Sequence, residues 1–251
     1  MIVAAIPLGG RRRLLHYRGV TGNSYLVVDE KHERTFLVDC GMPRDVPGLL
    51  AALSGLPPLN RVVCTHFHID HVSGWHGLKK AFPDLTLWFR EPARPWVRGE
   101  KRLPPPGLRV LRDLFLPVMR EYRYRLGWRE IRATRLYGTG LRPGFPRPGV
   151  RFFGDDQNPL PGFVTLPTPG HRPEHTAFWD ADSRILLCGD FLLRLGGMVV
   201  TENFLCSPED QHRSLTRIRQ LGAIELLCPG HGACAPWDPA ARSERDGFDD
   251  R

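Results

Sequence analysis

The stretch CTHFHIDHVSG, residues 64–74, sets three histidines and an aspartate within six positions at the end of a β-branched run, RVVCT. Imidazoles and a carboxylate this close are costly to bury unless something binds them. A divalent metal answers that demand, because neutral imidazole and carboxylate are its ordinary nitrogen and oxygen ligands. Where a strand runs into a loop, His66 and His68 are two residues apart and face one way. Asp70 and His71 follow after the chain turns and face a different point. The spacing therefore suits one metal on the first pair and a second on the other, with further ligands to come from elsewhere.

Three downstream segments offer them, each at the end of an apolar run. LPTPGHRPEH puts His171 after a Pro-Gly turn, ILLCGDF puts Asp190 after a buried strand and a glycine, and LLCPGHG puts His231 after another Pro-Gly turn. An ionised aspartate at the end of ILLCG needs a partner, since buried carboxylates do.

The ordered set HxHxDH (His66, His68, Asp70, His71), TPGH (His171), GD (Asp190) and PGH (His231) resembles the metallo-β-lactamase-fold hydrolase superfamily, in its glyoxalase II/lactonase-like branch. Asp39 in LVDCG matches the family's early strand-end aspartate, and the resemblance covers roughly residues 20–232. Each motif alone is weak; together, in this order, they are specific. The resemblance implies an α/β fold, a four-layer αββα sandwich with the metals at one edge between the sheets. It implies two divalent ions: His66, His68 and His171 on the first, Asp70, His71 and His231 on the second, Asp190 bridging. Zinc is the first expectation, with iron and manganese as alternatives, because this donor set suits all three. It also implies a hydroxide shared by the metals as nucleophile, oriented by Asp70, cleaving an ester, thioester, lactone or phosphodiester.

The remaining histidines carry plainer expectations. His16, His32 and His212 read as packed or surface residues, and His76 and His175 as supporting residues beside the ligands. Asp39 reads as a structural carboxylate, Cys64 and Cys228 as packing. The six cysteines (40, 64, 188, 206, 228, 234) contain no CxxC pair. They read as small buried hydrophobes of a reducing cytoplasm, where the protein is expected to reside.

The chain has 251 residues, which fits a single domain. SYLVVD and TFLVDC read as strands joined by a charged hairpin, residues 44–56 and 73–82 as helices, RVVCT and LTLWF as strands. After residue 150, VRFF, FVTLP, HTAFW, RILLCGD and ELLCPGHG read as strands. Residues 207–221 read as a helix capped by Ser207, with Asp210 three residues on. The tail from 239 is polar and expected to fray. No stretch approaches the ~18 apolar residues of a membrane span. The apolar start precedes its arginines, the wrong order for a secretory signal.

The net charge is +8, yet residues 85–150 carry fifteen Arg or Lys against five Asp or Glu, so the basicity belongs to that segment. Within it, Leu111, Leu114, Phe115, Val118, Met119, Tyr122 and Leu126 follow helical spacing, with a kink expected at Pro117. Residues 90–150 therefore read as a basic helical insertion, either a lid over the site or an amphipathic helix packed on the sandwich. Twenty residues follow His231, so no glyoxalase II-like helical substrate domain is expected there. The expected partner is a small anionic or amphipathic substrate. The competing readings are an iron-dependent sulfur dioxygenase on a related fold, a nucleic-acid-processing hydrolase using the basic segment, and a non-catalytic binding protein, against which the complete ligand set argues.

Overall fold

A computed structural model of the chain describes residues 1–105, 107–124, 127–201 and 206–238. The tail from 239 and the end of the expected helix at Leu126 lie outside these residues.

The first sheet has seven strands in chain order: β1 (Ile2–Leu8), β2 (Arg12–Arg18), β3 (Asn23–Asp29), β4 (Arg34–Val38), β5 (Leu59–Val63), β6 (Thr86–Arg90) and β7 (Val150–Phe153). β1 to β4 pair antiparallel and β4 to β7 parallel. The second sheet contains β8 (Val164–Pro167), β9 (Thr176–Asp180), β10 (Ile185–Gly189), β13 (Ile224–Pro229) and β14 (Ala235–Trp237), in the order β14-β13-β10-β9-β8. A short ribbon, β11 (Leu193–Leu195) with β12 (Met198–Val200), follows β10.

The period of two along apolar strands produces the layers. Tyr25, Val27, Phe36 and Val38 point between the sheets, where they meet Phe163, Phe178, Ile185 and Leu187. Their neighbours Leu26, Val28 and Leu37 point the other way, onto helices α1 (Val46–Leu53) and α3 (Trp75–Ala81). On the far face of the second sheet, Ala177, Trp179 and Leu186 pack with Ile218. Ile218 belongs to helix α8 (Pro208–Arg219), whose N-cap Ser207 accepts the Asp210 N–H as its sequence suggests. A strand buried on both faces must be apolar at every position, as β3 and β4 nearly are. Burying each large aliphatic or aromatic side chain contributes about 1.5–3 kcal/mol. The result is the expected helix–sheet–sheet–helix sandwich.

This topology places the site. β4 and β5 run parallel, as do β10 and β13, so within each sheet their C-terminal ends leave at one edge. The backbone bond from Thr176 N to Thr65 O, 2.9 Å, ties the two sheets at that edge.

Two regions depart from expectation. The chain start forms a hairpin, β1 and β2, whose strand character was hidden by Pro7 and a run of arginines. The basic segment is helical in pieces: α4 (Arg94–Arg98), α5 (Leu108–Val110), a π-helical turn Leu111–Phe115, α6 (Leu116–Glu121) and α7 (Trp128–Ala133). Pro117 cannot donate to the carbonyl four residues back and its ring crowds it, so the chain widens to π turns before the proline instead of only kinking. The apolar stripe buries only in part. Val118 is buried and Leu114, Met119 and Tyr122 are half-buried, while Leu111 and Phe115 are 40% and 41% exposed.

Candidate metal centre

Each residue of interest leaves the end of a strand. β5 ends at Val63, and the chain turns through Thr65 and His66 into a single helical turn, α2 (Ile69–Val72), which carries Asp70 and His71. His171 follows β8, Asp190 follows β10, and His231 follows β13. Two of the motif glycines are required by close approach. A Cβ on Gly189 (φ +50°) would meet His175 Nε2 and Thr65 at 2.8 Å, and one on Gly230 would overlap Asp190 Oδ1.

The seven residues singled out in the sequence come together in two groups: His66, His68, His171 and Asp190, then Asp70, His71 and His231. In the first, His66 Nε2 lies 3.1 Å from His68 Nδ1, and His171 Nε2 lies 2.9 Å from that same nitrogen. In the second, His231 Nε2 is 3.3 Å from Asp70 Oδ2. Asp190 reaches both groups: Oδ1 is 3.3 Å from His71 Nε2, and Oδ2 is 3.3 Å from His231 Nε2 and 3.7 Å from His66 Nε2.

The far sides of three imidazoles fix which nitrogen faces inward. Thr65 Oγ1 donates to Asp39 Oδ2 at 2.8 Å, so the Nδ1–H of His66, 3.0 Å away, donates to Thr65 Oγ1. The Nδ1–H of His71 donates to Asp39 Oδ2 at 2.9 Å, and that of His231 to the carbonyl of Thr21 at 2.7 Å. Each ring then turns an Nε2 lone pair to the centre. Asp39, in the left-handed region at φ +57°, thus orients one histidine of each group. His175 is fully buried and does not join either group. Its Nε2 accepts the Asp190 N–H at 3.2 Å, and burial lowers its pKa to about 3, so the ring stays neutral. His76, expected beside the ligands, instead sits at the surface against Arg135.

The electrostatics call for positive charge. Burial and the neighbouring His71 hold the pKa of His66 well below the ordinary value, so it remains a neutral donor atom. Burial disfavours charge on His71 and His231 too, but Asp190 and the other facing carboxylates outweigh it and raise both. Burial likewise works against the Asp190 carboxylate, yet His231 and His71 hold it well below the usual range. His71 Nε2 and Asp190 Oδ1 are buried, face each other and make no full hydrogen bond among the described residues. Two donors about 2.1 Å from one ion at tetrahedral angles stand about 3.4 Å apart. The separations of 3.3 Å between His231 and Asp70 and between His71 and Asp190 fit this, and those of 2.9 and 3.1 Å in the first group are slightly tight. The residues fit two divalent cations.

Several contributors carried no sequence signal. Thr65 relays His66 to Asp39. Asn23 Nδ2 bonds the carbonyls of Pro229 (2.9 Å) and Gly232 (2.6 Å) and so braces the His231 loop. Tyr122, from the end of α6, donates to Asn23 Oδ1 at 2.9 Å and accepts the Gly232 N–H at 3.0 Å. Its ring stands edge-on to His231, with centroids 6.3 Å apart. Beneath the HxH turn lies a buried ion pair, Arg172 Nε to Glu174 Oε1 at 3.1 Å, and that oxygen also accepts the Phe67 N–H at 3.2 Å.

Comparison with known proteins agrees with this geometry. The metallo-beta-lactamase superfamily profile matches residues 17–231. The uncharacterized protein YobT of Bacillus subtilis (strain 168) is 27% identical over 185 residues, 71% of this chain and 65% of that protein. The hydroxyacylglutathione hydrolase of Hamiltonella defensa subsp. Acyrthosiphon pisum (strain 5AT) is 23% identical over 219 residues, 87% of this chain and 66% of the relative. The chain thus spans just under two thirds of the length of both, 65% and 66%. The crystal structure of TTHA1623 in a di-iron-bound form superimposes with a TM-score of 0.60 at 26% identity, covering 92% of this chain and 97% of that one. With its profile matched across the sandwich and its HxHxDH, TPGH, GD and PGH residues gathered at one edge, the chain belongs to the metallo-beta-lactamase superfamily.

Proposed function

We propose that the chain is a binuclear metal-dependent hydrolase that cleaves an ester, thioester, lactone or phosphodiester in a small anionic or amphipathic substrate. The observation that carries this reading is the pair of donor groups at one edge with Asp190 between them. His66, His68 and His171 would hold one ion, Asp70, His71 and His231 the other, and Asp190 would bridge. Zinc is the first candidate; the di-iron form of TTHA1623 supports iron as the main alternative. Divalent ions held there would bring the pKa of a water towards neutrality and polarise the scissile carbonyl or phosphoryl. The hydroxyacylglutathione hydrolase relatives make thioesters the first substrates to try. The buried free thiols fit a cytoplasmic setting.

The chain's own residues supply the rest. The side chain of Asp70 is 31% exposed, against 4% for Asp190 and His231 and 1% for His71. Substrate therefore approaches over Asp70. Burial alone would raise its pKa, but His71 and His231 lower it, so it stays a carboxylate that accepts a hydrogen bond from the attacking water and orients it. Residues 90–150 would form one wall of the pocket, anchored by Tyr122 against the His231 loop.

Two measurements test this. Activity on a panel of thioesters, esters, lactones and phosphodiesters should proceed without dioxygen, and oxygen-18 from labelled water should enter the product. Dioxygen consumption with a persulfide, on one iron per chain, would instead establish the sulfur dioxygenase. Asp39→Ala removes the acceptor of His71 and frees Thr65 from its carboxylate. It should weaken metal binding by about 10–100-fold in a chelator competition; unchanged affinity would deny Asp39 the orienting role.

A further inference from the structure

Behind the His231 loop, β13 and β14 pair antiparallel with Leu227 opposite Ala235. Continued one step towards the turn, past the last paired residues, that register brings Cys228 to face Cys234. Directly opposed residues of an antiparallel pair have Cα atoms about 4.5–5.5 Å apart, inside the range of about 4.4–6.8 Å that a disulfide spans. Both side chains point to the core between the sheets, Cys228 fully buried and Cys234 partly. The two thiols are close enough to act on each other's protonation. The loop they subtend is Pro-Gly-His-Gly-Ala, residues 229–233, with His231 at its centre.

Cys234 has the surroundings of a reactive thiol. Its Sγ lies 3.5 Å from His16 Nδ1 and 3.6 Å from the Tyr25 hydroxyl. His16 is 3% exposed, and its other nitrogen, Nε2, has no hydrogen-bond partner among the described residues. The imidazole is held in place by stacking on Tyr25, with centroids 5.1 Å apart. The neighbouring Cys228 thiol and, after the opposing effect of burial, the hydrogen bond with His16 bring the Cys234 thiol down to about 5. Hydrolysis at the metal edge uses none of these groups.

We propose that Cys234 and Cys228 are a peroxide-responsive dithiol that closes to a reversible disulfide across the base of the His231 loop. The Cys234 thiol passes its proton to His16 Nδ1, and the sulfur attacks hydrogen peroxide. The O–O bond breaks, an S–O bond forms, and the leaving hydroxide takes the proton from His16 and departs as water. The sulfur, oxidised by two electrons, is now a sulfenic acid. The Cys228 sulfur then attacks it: the S–S bond forms, the S–O bond breaks, and hydroxide leaves with the Cys228 proton as a second water. Two thiols and one peroxide give one disulfide and two waters. Burial pushes the Cys228 thiol well above its ordinary range, so its proton leaves only as the hydroxide departs, and the step relies on the partner sulfur lying beside it.

The test uses the reduced protein, treated with hydrogen peroxide and quenched with N-ethylmaleimide. No Lys or Arg lies between Arg219 and Arg242, so trypsin leaves both cysteines on one peptide, residues 220–242. The expected result is that this peptide loses both maleimide labels and two hydrogens, and regains the labels after dithiothreitol. Cys228→Ser should stop at a Cys234 sulfenic acid that dimedone traps. His16→Gln should slow oxidation about tenfold. Exposed Cys206 serves as the internal reference. A peptide 220–242 that keeps both labels while Cys206 is oxidised would overturn the proposal, and this measurement needs no variant to fold.

Discussion

Asp190→Ala should empty at least one metal site and lower turnover by about a thousandfold or more, because the metals are expected to generate the nucleophile and meet the developing charge. The carboxylate lies within 4.0 Å of His66, His171, His71 and His231, so it faces both groups. Its removal also takes away the main reason that His71 and His231 attract positive charge, since Asp190 is the chief favourable influence on both. Elemental analysis after gel filtration, paired with steady-state kinetics on the best thioester or ester, checks this. Asp190→Asn preserves the shape and separates loss of charge from loss of packing. Two tightly bound metals with full activity in Asp190→Ala would refute the bridging role.

Glu174→Ala should destabilise the fold by about 3–5 kcal/mol, the cost of leaving a buried charge without its partner. Arg172 and Glu174 are each 1% exposed, and among the described residues Glu174 is the one carboxylate paired with the guanidinium. It lies over the Trp96 ring at 4.6 Å and reaches Cys206 Sγ at 3.5 Å, neither of which carries negative charge. The change also frees the Phe67 N–H, which lies between His66 and His68. Urea unfolding of the metal-free protein should show a lower midpoint at unchanged slope. The double variant Arg172→Met/Glu174→Leu should recover most of the loss, because it removes the stranded charge. A loss below about 1 kcal/mol in Glu174→Ala would mean that water reaches the guanidinium and the pair is not truly sealed.

The metal edge was legible because its signal is local. HxHxDH holds four donors within six residues, and His171, Asp190 and His231 each follow a turn or glycine at the end of an apolar run. Residues so placed leave a sheet at its edge whatever the rest of the chain does. The layers were legible for a similar reason, since strands apolar at successive positions have to be covered on both faces. What the chain alone did not reveal depends on contacts between distant segments. The path from His66 through Thr65 to Asp39 and His71 spans three elements. Tyr122 and Gly232 are 110 positions apart, and His16 meets Cys234 across 218. The basic insertion is a different case. Its helical spacing states only which side chains share a face, and the fold covers that face in part, burying Val118 and setting Tyr122 against the His231 loop while Leu111 and Phe115 stay exposed. Periodicity records the geometry of one element; burial, ring orientation and the choice of inward nitrogen are set by what that element packs against, and only the tertiary structure supplies the partner.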